Sequence, residues 1–254
     1  MKHMIHLAAI IPALLFLTSC QQNEAMEFAG NGSIYFFEQV PSGFGTMLNA
    51  SEKNLSFAVL DDAVTETEGR INVRLLGSII DRDRVFRARV VPDSTTAIEG
   101  THYRLHDGVL PAGALDSYLP VTLFRAPDLK NESVKIFFEM LPTDDLGIGL
   151  QEGAFFTLYL GDFFMKPESW TVFVDQYLGA YCDNKYKFII ETLGITDFPM
   201  IRGNEPPREG YYTPPQMQGF NYTLINAYAE YRKTNPPIWV DDNAEQKIEI
   251  KFQI

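Results

Sequence analysis

Apolar and polar side chains alternate through much of residues 33–160. Ile71, Val73 and Leu75 share one face of a run in which Asn72 and Arg74 take the other. Phe86, Ala88 and Val90 stand opposite Arg87 and Arg89 in the same way. Leu119, Val121 and Leu123 repeat the pattern, as do Val134, Ile136, Phe138 and Met140. A period of two marks strands with one buried face and one wet face. Shorter apolar and aromatic runs at 33–37, 55–60 and 154–160 have strand length. With 71–80, 84–91, 118–124 and 133–140 they make about seven strands separated by Gly, Pro and Asp turns. That series predicts a two-sheet sandwich. Pro120 lacks an N–H and is expected at an edge or a bulge.

The pattern changes near Gly161. Pro167 is tolerated in a first helical turn, so a helix could begin there. Tyr186, Ile189, Ile190 and Leu193 have helical spacing over 183–193, with Gly194 as C-cap. Residues 203–219 are rich in Pro and Gly and read as a loop. Residues 222–233 form a second helix, with Leu224, Ile225, Tyr228 and Ala229 on one face, stopped by Pro236 and Pro237. The last eight residues alternate again, with Ile248, Ile250, Phe252 and Ile254 inward. The fold class is therefore mainly β: an immunoglobulin-like sandwich at 33–160, then a smaller α+β region at 161–254.

The first 19 residues belong to neither part. Lys2 precedes an apolar run at 7–17, far shorter than the ~20 residues a membrane-spanning helix needs. Leu17-Thr18-Ser19-Cys20 follows it. A short apolar core ending in small residues is a cleavable signal. The cysteine at its end makes it a lipobox, in which the Cys20 thiol takes a lipid through a thioether. The expected organisation is a signal at 1–19 and a lipidated cysteine with a polar tether at 20–32. Glu24 is the acidic residue nearest Cys20 and no acidic run follows the cysteine directly, so surface and periplasmic orientations stay open.

Composition narrows the chemistry. Cleavage before Cys20 removes Lys2 and takes 21 basic against 33 acidic side chains to 20 against 33, a net −13. Such a chain is a poor partner for nucleic acid. The chain has two cysteines, and lipidation of Cys20 leaves Cys182 without an internal partner; it reads as a small buried hydrophobe. His102 and His106, four apart, could meet on one face as metal ligands, but Gly100 and Gly108 flank them and no third ligand is near. Asp241, Asp242, Asn243 and Glu245 are hard-oxygen residues without the spacing of a calcium loop. Asp81, Arg82, Asp83 and Arg84 read as a solvated turn. No nucleophile motif or phosphate loop occurs, and no cofactor or metal is expected.

The most distinctive stretch is 211–222. Tyr211, Tyr212, Phe220 and Tyr222 lie among Pro, Gly and Gln. Exposed rings there would stack on sugar or pack on a partner; otherwise they form a local core with the C-terminal region. Trp170 and Trp239 read as core residues.

Thr96-Ala97-Ile98-Glu99-Gly100-Thr101-His102-Tyr103 resembles the T-A-x-x-G-x-D-Y segment of Calx-beta domains, which are immunoglobulin-like sandwiches. Val109-Leu110-Pro111-Ala112-Gly113 and the strand that follows resemble the same domains. His102 replaces the aspartate, and Arg125 to Asn131 replaces their acidic turn, so calcium binding is not implied. Nearly the whole chain resembles a family of Bacteroidetes lipoproteins of unknown function. The markers are Ser33-Ile34-Tyr35-Phe36, Asp83-Arg84-x-Phe86, Gly100-Thr101-His102-Tyr103, Lys166-Pro167-x-x-Trp170, Leu178-Gly179-x-Tyr181 and Lys185-Tyr186-x-Phe188. The resemblance implies an accessory lipoprotein of a Sus-type uptake system, in which a TonB-dependent barrel works with a SusD-like lipoprotein.

The expected function is therefore non-catalytic: an outer-membrane lipoprotein, held by the lipid on Cys20, that binds a glycan or peptide for an importer. A structural or adhesive surface protein is the alternative, and an unrecognised hydrolase is the third reading.

Overall fold

The computed structural model describes residues 32–41, 47–201, 206 and 209–252. In chain order the strands are β1 (Ser33–Phe36), β2 (Glu38–Pro41), β3 (Met47–Ala50), β4 (Glu52–Ser56), β5 (Glu66–Leu76) and β6 (Arg84–Val90). They continue with β7 (Tyr103–Leu105), β8 (Gly108–Leu110), β9 (Asp116–Phe124), β10 (Val134–Leu141), β11 (Gly147–Ile148) and β12 (Phe155–Gly161). Three helices follow: α1 (Val172–Leu178), α2 (Asp183–Leu193) and α3 (Pro214–Tyr231).

The alternating runs give the core directly. One five-stranded sheet has the order β11-β1-β5-β9-β7, the other β4-β12-β10-β6-β8. Most neighbours are antiparallel, with parallel pairing at β1/β11 and β12/β4. Ile71, Val73 and Leu75 of β5 and Leu119, Val121 and Leu123 of β9 face inward. They meet Ile136, Phe138 and Met140 of β10 and Phe156, Leu158 and Leu160 of β12 in one apolar cluster. This is a mainly β sandwich followed by a smaller helical region. A second cluster, around Trp170, Leu178, Tyr186, Ile189, Phe198 and Leu224, holds the helices together. Both clusters belong to one compact unit.

Several expectations change. The run at 55–60 is not one strand, because β4 stops at Ser56 and a 3-10 turn spans Phe57–Val59. The Ser56 hydroxyl accepts the Ala58 N–H at 3.1 Å and so competes with the ladder. The run at 71–80 is shifted: β5 starts earlier, at Glu66, and ends at Leu76.

No helix starts at Pro167. That residue sits in a turn, its carbonyl accepting Trp170 N–H at 2.9 Å, and α1 starts after Thr171, whose hydroxyl accepts Phe173 N–H. Helix α3 reaches back into the expected loop. Pro214 and Pro215 occupy its first positions, and Thr213 and Gln216 form a reciprocal capping box. The final alternating run is not a regular strand. It makes one bridge, Trp239 to Glu249, with Ile250 buried but Ile248 61% exposed. Ile254 lies outside the described residues.

The expectation for α2 holds. Helix α2 spans 183–193 and ends on Gly194 in the left-handed region (φ 67°). The expectation for Pro120 does not hold: it lies neither at an edge nor at a bulge but in β9, second from the edge, opposite Arg70 of β5. The β7/β9 ladder ends at the Leu105–Val121 pair, and the Pro120 carbonyl accepts His106 N–H just beyond it.

Candidate functional site

Cys20 lies outside the described residues. The two histidines part company. His102 is buried at the turn into β7: Ile98 N–H donates to Nδ1 at 2.9 Å, and Nε2 lies 3.0 Å from Asp128 Oδ2. A ring nitrogen that accepts an N–H carries no proton, so His102 is the Nε2–H tautomer and donates to Asp128. That hydrogen bond holds the Asp128 carboxyl below its ordinary range. His106 is exposed and pairs with Thr122 Oγ1 at 2.9 Å. Among the described residues, no group of three or more His, Cys, Asp or Glu side chains is placed to hold a metal ion.

The acidic stretches are turns. Asp241 Oδ1 accepts Asn243 N–H at 2.8 Å, and Asp242 accepts from Asn184 Nδ2 at 2.9 Å. Asp83 accepts Ala112 N–H at 2.8 Å, and Arg82 pairs with Asp145 at 2.7 Å. Arg84 departs from the expected solvated turn, since it opens β6 on the inward face and is 1% exposed. Burial lowers its pKa below the ordinary arginine value. Cys182 is half-buried immediately before α2. Trp170 is buried, its Nε1 donates to Asp175 at 2.8 Å, and its ring meets Tyr181, Tyr186 and Phe198 edge-on at 5.3–5.8 Å. Trp239 is half-buried, with Lys247 Nζ 5.9 Å over its ring. The motifs around Trp170, Gly179 and Tyr186 are thus packing motifs.

The aromatic stretch divides. Tyr212 and Phe220 pack edge-to-face at 5.0 Å, and Tyr212 also approaches Phe198 at 6.4 Å. Both rings belong to the helical core. Tyr222 is 66% exposed on α3. Tyr211 is half-buried and faces the sandwich. The residues of this stretch from 214 onward are helical, because the capping box and the Pro-Pro start nucleate α3 earlier than apolar spacing alone suggests.

A concavity lies where the sandwich meets the helical region. It encloses about 250 Å³ between β4 with its following turn and the chain at 165–168 and 196–197. Leu55, Val59 and Leu60 supply apolar floor; Lys53, Glu168 and Asp197 supply charge. β4 is the outer strand of its sheet. Its Asn54 donates to Glu168 Oε1 through N–H at 2.9 Å and Nδ2 at 3.1 Å, and Ser56 Oγ donates to the Phe163 carbonyl. The strand edge is therefore covered by its own chain, as an exposed edge requires. Lys53 pairs with buried Glu38 at 2.8 Å, and Ser169 is hydrogen-bonded to Asp197. Tyr186, whose hydroxyl donates to the Thr196 carbonyl, forms part of the wall; burial raises its pKa. The polar groups are fixed by one another before any ligand arrives. This suits recognition of a ligand through shape and a few set hydrogen bonds. Asn54 and Glu168 lie 114 positions apart, and no local pattern announces their meeting.

A protein family described as a domain of unknown function, DUF4843, matches residues 28–195, well over half of the chain. No curated protein sequence matches. Among solved structures the chain is similar to CBD12 from CALX1.2, at 14% identity and TM-score 0.34, covering 52% of this chain and 44% of that one. It is similar to a candidate carbohydrate-binding protein from Bacteroides ovatus, at 13% identity and TM-score 0.35, covering 51% and 37%. It is also similar to a two-domain protein of unknown function from Bacteroides fragilis, at 15% identity and TM-score 0.32, covering 51% and 45%. The chain spans less than half the length of each of these structures.

Proposed function

We propose, taking as premise that the chain belongs to the DUF4843 family, that it is a non-catalytic binding lipoprotein of the outer membrane. It captures a glycan or peptide and presents it to a Sus-type importer, a TonB-dependent barrel with a SusD-like lipoprotein. The observation that carries this reading is the cleft between β4 and the helical region, a formed concavity with an apolar floor and mutually paired polar walls. Leu17-Thr18-Ser19-Cys20 supports attachment through a lipid on Cys20. The net negative charge supports a ligand other than nucleic acid.

The test has two arms. The native protein is extracted from membranes in mild detergent, and its companions are identified; an importer barrel is expected among them. The purified protein is then titrated calorimetrically against panels of neutral oligosaccharides and of short peptides. Leu60→Asp places a charge on the cleft floor and is expected to weaken binding at least tenfold. A lone monomer that binds nothing on either panel sinks the proposal.

A further inference from the structure

A second concavity, sharing no residue with the cleft, lies on the outer face of the first sheet. The same alternation that sends Ile71, Val73 and Leu75 inward sends Arg70, Asn72 and Arg74 outward. Their surroundings are unusually fixed. The Arg74 guanidinium lies 3.8 Å over the Phe37 ring and forks onto Asp116 at 2.5 and 2.9 Å, its cross-strand neighbour in β9. Arg70 lies 4.6 Å over Tyr118, on the same face. The chain entering α3 brings Tyr211 to this face and closes a hollow of about 280 Å³. Phe37, Gln39, Asn72, Arg74, Asp116 and Tyr211 line it.

We infer that this hollow is a contact site for a neutral saccharide. The inference rests on the reading of the protein as a capture component and names the ligand class. The lining charges cancel, because Arg74 is matched by Asp116, so neither an anion nor a cation is favoured. A sugar presents one apolar C–H face and a rim of hydroxyls. Tyr211 offers a ring for the first. The Asn72 and Gln39 amides and the Asp116 carboxylate offer both donors and acceptors for the second. Arg74 is already ordered by its ring and its carboxylate partner, so little freedom is lost on binding. An extended peptide has less to gain here. β5, whose side chains line the hollow, is flanked by β1 and β9, so its own backbone groups are spent on its neighbours and cannot add a strand.

The test is calorimetric titration of the full mature protein with hexasaccharides of glucose, mannose, galactose and xylose. At least one is expected to bind. Tyr211→Ala and Asn72→Ala each raise its Kd at least tenfold, and Tyr211→Phe leaves it within about twofold, because the ring is kept. Thermal midpoints are measured alongside; Asn72 has an exposed side chain, so its variant stays folded. Two results overturn the inference. One is peptide binding with no saccharide binding, which leaves the capture reading standing. The other is saccharide binding lost in Leu60→Asp but untouched in both hollow variants, which moves the sugar to the cleft. Absence of all binding and of an importer partner overturns both readings.

Discussion

Arg125 and Asp162 show how much one buried pair can organise. Asp162 has 2% side-chain exposure and Arg125 13%, and the guanidinium reaches both carboxylate oxygens at 2.8 and 2.9 Å. It also donates to the Asp61 carbonyl at 3.0 Å. Three loops at one end of the sandwich therefore converge on one side chain. Arg125→Met removes the partner and leaves a desolvated carboxylate, at an expected cost of about 3–5 kcal/mol. Urea unfolding measures it, and the added Asp162→Leu change is expected to restore part of the loss. Asp128 is held below its ordinary range by the hydrogen bond from His102, Asp145 by Arg82 and then Val85 N–H, and Glu249 by Tyr228 and then Arg232. A folded pKa below the unfolded one gives stability that is fully present above about pH 4–4.5 and lost as pH falls through the folded values. The thermal midpoint is expected to be level with respect to these groups above about pH 5 and to drop below about pH 4. A midpoint unchanged down to pH 3 contradicts these pairings.

Two elements depend on features that periodicity does not report. Helix α3 owes its first turn to Thr213, which accepts Gln216 N–H while the Gln216 side chain accepts Thr213 N–H at 2.8 Å. Thr213→Ala is expected to destabilise by about 1 kcal/mol, read from the denaturation midpoint. Because Tyr211 and Tyr212 enter this turn, the same variant should broaden their ring signals in NMR spectra. Strand β8 needs Gly108 for contact rather than for an unusual φ. A Cβ there would stand 2.1 Å from the Phe86 ring, its partner across the β6/β8 ladder. Gly108→Ala therefore forces the strands apart, at an expected cost of about 1–3 kcal/mol. A variant as stable as the parent shows that β8 yields freely.

For the whole molecule, the proposed lipid on Cys20 would set location while the fold sets binding. Cys20→Ala is expected to release the protein from the membrane fraction to the soluble fraction, with its thermal midpoint unchanged. Membrane retention without Cys20 removes the lipid from the account. Within the fold, strand faces and helix α2 were legible because side-chain direction repeats every two residues along a strand and about every 3.6 along a helix. Ile136 and Phe138 announce their burial within their own neighbourhood. Arg84 shares the inward face of β6 with Phe86 by the same period, but its charge argues for solvent, and only the packing of the sheets shows that it is removed from water. Pairs such as Asn54 with Glu168 and Arg125 with Asp162 join segments far apart in the chain. The amino-acid sequence by itself determined the sandwich class and helix α2, since each is written in short-range order. Only the tertiary structure decided which of four aromatic residues became core, that Tyr211 faces the outer sheet, and where the cleft lies. Those depend on how separate layers meet, and contact between distant segments leaves no local periodicity to read.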